Sequence, residues 1–181
     1  MFMCKKINLF NCNTKNLIDM KAMFYCCSWL SDINFFNFNT SKVSNMKFLF
    51  SKCTNLKRIN LSSLNTTNLK DMMCMFNECV ALRKIDLSNF DTRNVTNMCG
   101  IFWQCYNLSE LDLSNFKTNK LTYMSSMFSG CTILKKLNIS NFNTNNVTDM
   151  SHMFAFCWSF EEIDVSHFNT ENVTNMNSMF S

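Results

Sequence analysis

The residues of this chain recur at a step of 26, seven times over, without one insertion or deletion. The pair Met-Phe stands at Met23-Phe24, Met75-Phe76, Met127-Phe128, Met153-Phe154 and Met179-Phe180, and Leu49-Phe50 and Ile101-Phe102 hold the same step. Met20, Met46, Met72, Met98, Met124, Met150 and Met176 form a second column. Thr14, Thr40, Thr66, Thr92, Thr118, Thr144 and Thr170 form a third, and Cys27, Cys53, Cys79, Cys105, Cys131 and Cys157 a fourth. A fixed period of this length is the signature of a solenoid. One unit cannot bury its apolar face alone, but a stack can, because each coil covers the next.

The unit reads CxxLxxIDLSNFNTxNVTNMxxMFxx, with a clean copy running from Cys79 through Leu82, Ile85, Leu87, Phe90, Val95, Met98, Ile101 and Phe102. Ile85 and Leu87 flank Asp86, which is strand alternation. Val95, Met98, Ile101 and Phe102 follow at steps of three and four, which is helix-like spacing. Each coil is therefore expected to hold a strand near 84–88, an Asn-rich turn, and a short helical or 3₁₀ stretch near 95–103. The fold class expected is an α/β-type repeat solenoid, with a parallel sheet on one face and short helical segments on the other. It forms one unit over 1–181, divided into coils 1–26 (a partial unit), 27–52, 53–78, 79–104, 105–130, 131–156 and 157–181. Strands about 4.8 Å apart make the stack roughly 30–35 Å long.

The chain has no Pro and only two Gly, so its turns rely on another residue. Asn tolerates left-handed backbone angles and bonds its own backbone locally, so Asn is read as the turn-maker. The Thr column, preceded by Asn39, Asn65, Asp91, Asn143 and Asn169 and broken by Lys117, is read as a stacked polar ladder serving turn amides. Asn94-Val95-Thr96, Asn146-Val147-Thr148 and Asn172-Val173-Thr174 fit the glycosylation sequon, but they recur because the repeat recurs. The 11 cysteines are an odd number. They contain no CxxC pair, and His152 and His167 share no column, so metal binding is not expected. Successive column cysteines stand near disulfide reach, yet a stack of inward thiols packing as small hydrophobes is the preferred reading.

The outward strand columns are the expected working surface. One reads Lys6, Asp32, Arg58, Lys84, Glu110, Lys136, Glu162, and its sign alternates from Lys84 onward. Opposite charges across adjacent strands stabilise the stack. The next column carries Asp86, Asp112 and Asp164 among Asn8, Asn34, Asn60 and Asn138. Asp86 and Asp112 beside Glu110 make either a weak cation site or a solvated face, and the solvated face is preferred. Phe10 and Phe36 occupy a column that is Ser in later coils, so they either bind a partner or cover an end. The candidate face is thus Phe10, Phe36, Arg58, Lys84, Asp86, Glu110, Asp112 and Lys136.

The net charge of +4 comes from scattered residues, so no nucleic-acid footprint is expected. No apolar stretch reaches the roughly 18–20 residues of a membrane span, and the N-terminal sequence lacks the apolar run of a secretory signal. No Gly-rich phosphate loop, GxSxG, or nucleophile with a matching His and acid occurs, so no enzyme and no cofactor are expected. The last unit stops at Met179-Phe180-Ser181 with core residues still in pattern, which raises the expectation of a fragment, of continuation in another polypeptide, or of end-to-end self-association through uncapped coils.

LDLSNF at 111–116, with IDLSNF at 85–90 and LNISNF at 137–142, each followed by an NVTNM-like string and MFxxC, resembles the BspA-like leucine-rich repeat surface proteins, in their 26-residue mycoplasma-type lipoprotein variant. The resemblance covers the whole chain, with Phe35-Phe36 and Leu64 as local departures. It implies a right-handed leucine-rich-repeat-like coil stack, displayed on a cell surface or secreted, that mediates adhesion to protein or glycan partners. It supplies no catalytic residues. The expected function is a non-enzymatic recognition module; the alternative is a structural spacer in a longer surface or intracellular protein. One consequence concerns stability: Met98→Asp places a charge in a core column and should unfold the adjacent coils, a loss of more than about 4 kcal/mol that is read as a collapsed melting transition by circular dichroism.

Overall fold

The structure, a computed structural model, describes residues 3–9 and 11–181. It is a repeat solenoid in which the backbone of each coil bonds the coils before and after it. The apolar columns converge on one continuous core. Met46, Met72, Met98, Met124 and Met150 are fully buried, as are Leu30, Leu56, Leu82, Leu108 and Leu134.

The aromatic column shows how close the coil register is. Phe24, Phe50, Phe76, Phe102, Phe128, Phe154 and Phe180 lie face to face in one stack, with ring centroids 5.4 to 6.1 Å apart and planes within 13° of parallel. Such spacing is within the attractive range for aromatic pairs, each worth about 0.5–1.5 kcal/mol beyond its buried area.

Strands are shorter and fewer than the repeat suggests. β1 (Lys6–Asn8) pairs in parallel with β2 (Asp32–Asn34), and β3 (Glu110–Asp112) with β4 (Lys136–Asn138). Each pairing sets residues 26 apart side by side, as in Lys6 beside Asp32 and Glu110 beside Lys136. No single sheet runs the length of the stack among the described residues. Among them, strand pairing is absent both where two cations meet, at Arg58 and Lys84, and where opposite charges meet, at Lys84 and Glu110, so charge alone does not set where strands form.

The uninterrupted ladder lies on the other side of the coil, where helical segments were expected. No helix of either kind forms among the described residues. Isolated parallel bridges connect Asp19, Asn45, Asp71, Asn97, Tyr123, Asp149 and Asn175 in series. Beyond each bridge the N–H groups alternate. Met20, Ala22, Phe24 and Cys26 donate to carbonyls of the next coil at 2.8–3.0 Å, while Met23, Tyr25 and Cys27 donate back three residues within their own coil. The result is a ribbon of overlapping turns. Apolar steps of three and four suit this ribbon as well as they suit a helix, because it too brings i and i+3 together. The coil-to-coil bonds replace the i−4 bonds of a helix.

The ribbon needs two left-handed residues per coil, and Asn does not supply them. One column is Ala22, Phe48, Cys74, Gly100, Ser126, His152 and Ser178; the other is Cys26, Lys52, Glu78, Gln104, Gly130 and Phe156. All have φ between 52 and 75°. Positive φ at the third residue of a turn is the type II requirement, normally met by Gly or Asn. Asn37 is the one asparagine described with positive φ. His152 thus stands in a column defined by backbone shape rather than by chemistry.

Asn and Asp work through their side chains instead. Asn45, Asp71, Asn97 and Asp149 each accept the backbone N–H two residues on, closing a local Asx turn. A second column does the same with Asn39, Asn65, Asp91, Asn143 and Asn169. The sequon residues Asn94, Asn146 and Asn172 donate their amide nitrogens to Thr67, Asn119 and Asn145 carbonyls of the preceding coil, at 3.0, 2.7 and 2.8 Å. The nitrogen a glycan would modify is already part of the coil junction. Asn89 and Asn115 each donate to three carbonyls of the preceding coil. His167, in the same column, holds the Ile139 carbonyl at 3.1 Å through Nε2, so it continues this ladder.

Two further columns tie the coils from inside. The Thr92 hydroxyl accepts the Lys117 N–H at 2.7 Å and donates to the Lys117 carbonyl at 3.1 Å. Thr40 treats Asn65, and Thr118 treats Asn143, in the same way. These bonds reach the main chain, so Lys117 fits where Asn stands elsewhere. The thiols of Cys53, Cys79, Cys105, Cys131 and Cys157 donate to the carbonyls of Phe24, Phe50, Phe76, Phe102 and Phe128, at 3.1–3.3 Å. All 11 cysteines are free thiols.

Two tests follow from these ladders. Thr92→Val keeps the shape but removes both bonds to the partly buried Lys117 main chain, and should cost about 1–2 kcal/mol in a denaturant melt. Burial pushes the thiols up, Cys53 to about 12 and Cys79, Cys105 and Cys131 well above their ordinary 9.0. The unfolded thiols ionise above 9.0 while the folded ones stay neutral. The stabilisation is therefore full below pH 9.0 and is lost as pH rises from there towards 12. Melting temperatures measured across pH 8 to 11 should fall accordingly, and a flat profile would contradict the buried ladder.

Candidate interaction face

The columns beside the core strand positions emerge on one side of the stack. Ile59, Ile85, Leu137 and Ile163 are only partly covered there, and charged residues flank them. A groove of about 960 Å³ runs along the fourth to seventh coils and reaches back to Ile59. Five of the sequence-derived candidates line it together: Lys84, Asp86, Glu110, Asp112 and Lys136. Arg58 lies in a second groove, of about 840 Å³, with Lys5, Lys6, Trp29, Lys57 and Arg83. Phe36 is exposed and lines neither groove. Phe10 lies outside the described residues.

Glu162 and Asp164, already placed in the outward columns by the sequence, also line the first groove, whereas sequence reasoning missed Lys135, Phe160 and His167. It also missed the second groove as a unit. Lys57-Arg58 and Arg83-Lys84 are only dipeptides along the chain, but they are neighbours in the stack. The face is consequently polarised. The second groove carries five cations against the single carboxylate of Asp32. The first carries five carboxylates against Lys84, Lys135 and Lys136.

Part of this charge has local partners. Lys84 forms an ion pair with Glu110, and that ammonium, with Lys136 beyond it, holds the Glu110 carboxyl below its usual range. Lys6 and Asp32 approach to 3.8 Å. The Asp column is committed to the backbone: Asp86, Asp112 and Asp164 accept the N–H of Ser88, Ser114 and Ser166, each at 2.9 Å. Hydrogen bonds from those serines lower all three carboxyls. Asn34, Asn60 and Asn138 close the equivalent turns in other coils. Among the described residues no group of three or more His, Cys, Asp and Glu could hold a metal ion, and no helix is long and apolar enough to cross a membrane.

Stacked coils, short parallel strands and a charged strand face define the protein as a leucine-rich repeat solenoid. It is similar in fold to a leucine-rich repeat protein of T. pallidum, at 19% identity and a TM-score of 0.55, over 89% of this chain and 80% of that one. A leucine-rich repeat protein of Eubacterium ventriosum ATCC 27560 is similar at 16% identity and a TM-score of 0.50, over 98% of this chain and 58% of that one. The chain belongs to the family described as Mycoplasma protein of unknown function, DUF285, which matches residues 1–110 and 81–181. The mycoplasma-type, BspA-like resemblance read from the repeat therefore holds. No curated protein matches the chain.

The Asx turns generate a paired test. Asp112→Asn keeps the acceptor for Ser114 and should melt like the parent, whereas Asp112→Ala should melt earlier. Because its folded carboxyl is held below the ordinary 3.8, the contribution of Asp112 is present above that value and fades as pH falls below it. The gap between the parent and the Ala variant should therefore narrow in acid melts.

Proposed function

We propose that this chain is a non-enzymatic recognition module that binds a protein or glycan partner through the groove of its fourth to seventh coils. The supporting observation is that Lys84, Asp86, Glu110, Asp112 and Lys136 line one open groove on elements that the coil ladders hold rigid. A rigid scaffold displaying alternating charge over partly covered apolar side chains supplies orientation and apolar contact together. Family membership supports a surface setting, in which such a module acts in adhesion. The spacer reading draws on one observation: the Asp column is already used to close turns.

Binding of the 181-residue chain to arrayed glycans and extracellular-matrix proteins separates the two. The comparison variant is Asp86→Asn with Glu110→Gln, Asp112→Asn and Lys136→Gln. The Asn substitutions reproduce residues this column already uses in other coils, so the fold is kept. The module reading expects at least one ligand to bind the parent and to lose roughly tenfold or more in affinity to the variant. Equal binding by both, or binding by neither across the arrays, would favour the spacer.

A further inference from the structure

We propose that a second copy of this chain docks its first coil on the seventh coil of another, continuing the solenoid in register. Of the charged residues paired at this junction, only Glu162 also lines the groove proposed for partner binding. The inference rests on charge, on backbone polarity and on the aromatic column, all read at one register.

The charge of the chain is sorted between its two end coils. The first carries Lys5, Lys6, Lys15 and Lys21 with only Asp19, and the seventh carries Glu161, Glu162, Asp164 and Glu171 with no Lys or Arg. Extending the step of 26 across a junction sets Glu161 against Lys5, Glu162 against Lys6 and Glu171 against Lys15. All six side chains are exposed. The column of Lys6 and Glu162 already joins coils within the chain, through Lys6 with Asp32 and through Lys84 with Glu110.

The backbone is polarised in the same sense. Inside the stack, the column of Met20, Ala22 and Phe24 donates to the carbonyls one residue earlier in the repeat on the next coil. On the seventh coil, the N–H groups of Met176, Ser178 and Phe180 make no such bond; on the first, the carbonyls of Asp19, Lys21 and Met23 receive none. At the extended register these three donors meet these three acceptors. The Phe180 ring, 58% exposed, meets Phe24 as the next ring of the stack. Apolar surface supports the match, with Met176 and Trp158 exposed at one end and Ile18 and Met23 at the other. A head-to-tail contact that reuses the coil step does not close, so it produces a linear filament rather than a dimer.

The test is sedimentation velocity of the 181-residue chain at low salt over a range of concentration. The expected result is growth beyond 21.2 kDa that rises with concentration and is weakened by salt. The triple variant Lys5→Glu, Lys6→Glu, Lys15→Glu should raise the dissociation constant roughly tenfold or more, as three reversed pairs require. The converse variant Glu161→Lys, Glu162→Lys, Glu171→Lys should do the same. Mixing the two restores all three pairs at every junction and should restore assembly. Circular dichroism melts confirm that both variants fold. A parent that stays at 21.2 kDa throughout, or assembly that neither variant weakens, would overturn the proposal, as would two weakened variants that fail to recover on mixing.

Discussion

The structure depends on main-chain and side-chain hydrogen bonds that join each coil to the next at one fixed register. In a globular core, apolar burial is non-directional and tolerates many arrangements. Here a slip by one residue would set apolar columns such as Leu87 and Phe90 against polar ones such as Ser88 and Asp91. The Thr hydroxyls oppose such a slip as well. Thr40, Thr92 and Thr118 each hold both the N–H and the C=O of one residue in the following coil, as Thr92 does for Lys117. A slip of one residue breaks both bonds, and with them the buried thiol bonds such as that from Cys79 to the Phe50 carbonyl.

Register has a consequence for the surface. Because every coil is held at the same phase, residues 26 apart become neighbours, and a pattern spread thinly along the chain becomes dense in space. That is how Lys57, Arg58 and Arg83 come to share one groove and Asp86, Asp112 and Asp164 another. The mild net charge of +4 conceals this division. An interaction face on such a scaffold is set by columns, so single substitutions in one coil alter it locally while the stack persists.

The period made much of this legible before any coordinate. The Met, Phe, Thr and Cys columns point inward as the repeat implied, and of the candidate face Lys84, Asp86, Glu110, Asp112 and Lys136 line one groove, while Arg58 lines another and Phe36 neither. Three readings failed for identifiable reasons. The spacing of Val95, Met98, Ile101 and Phe102 looked helical, but it is also satisfied by turns bonded three residues back and tied to the next coil. Asn looked like the left-handed residue because its intrinsic preference is strong. Tertiary bonding instead forces that conformation on Phe48, Glu78 and His152 and uses Asn side chains as caps and rungs. The sheet looked continuous because every coil carries a strand motif, whereas two short paired segments form; the basic groove was missed because charge was sought along the chain rather than across it.

The central claim is that Thr40, Thr66, Thr92, Thr118 and Thr144 stand in one column. Nuclear Overhauser spectra of a sample labelled only at threonine γ-methyls test it most directly, since methyls contribute cross-peaks only within roughly the spacing of adjacent coils. The account requires a chain of cross-peaks, each of these threonines connecting to the ones 26 residues before and after it and none skipping a coil. Spectra in which Thr66 and Thr118 connect directly, or in which Thr92 connects to neither, would contradict it.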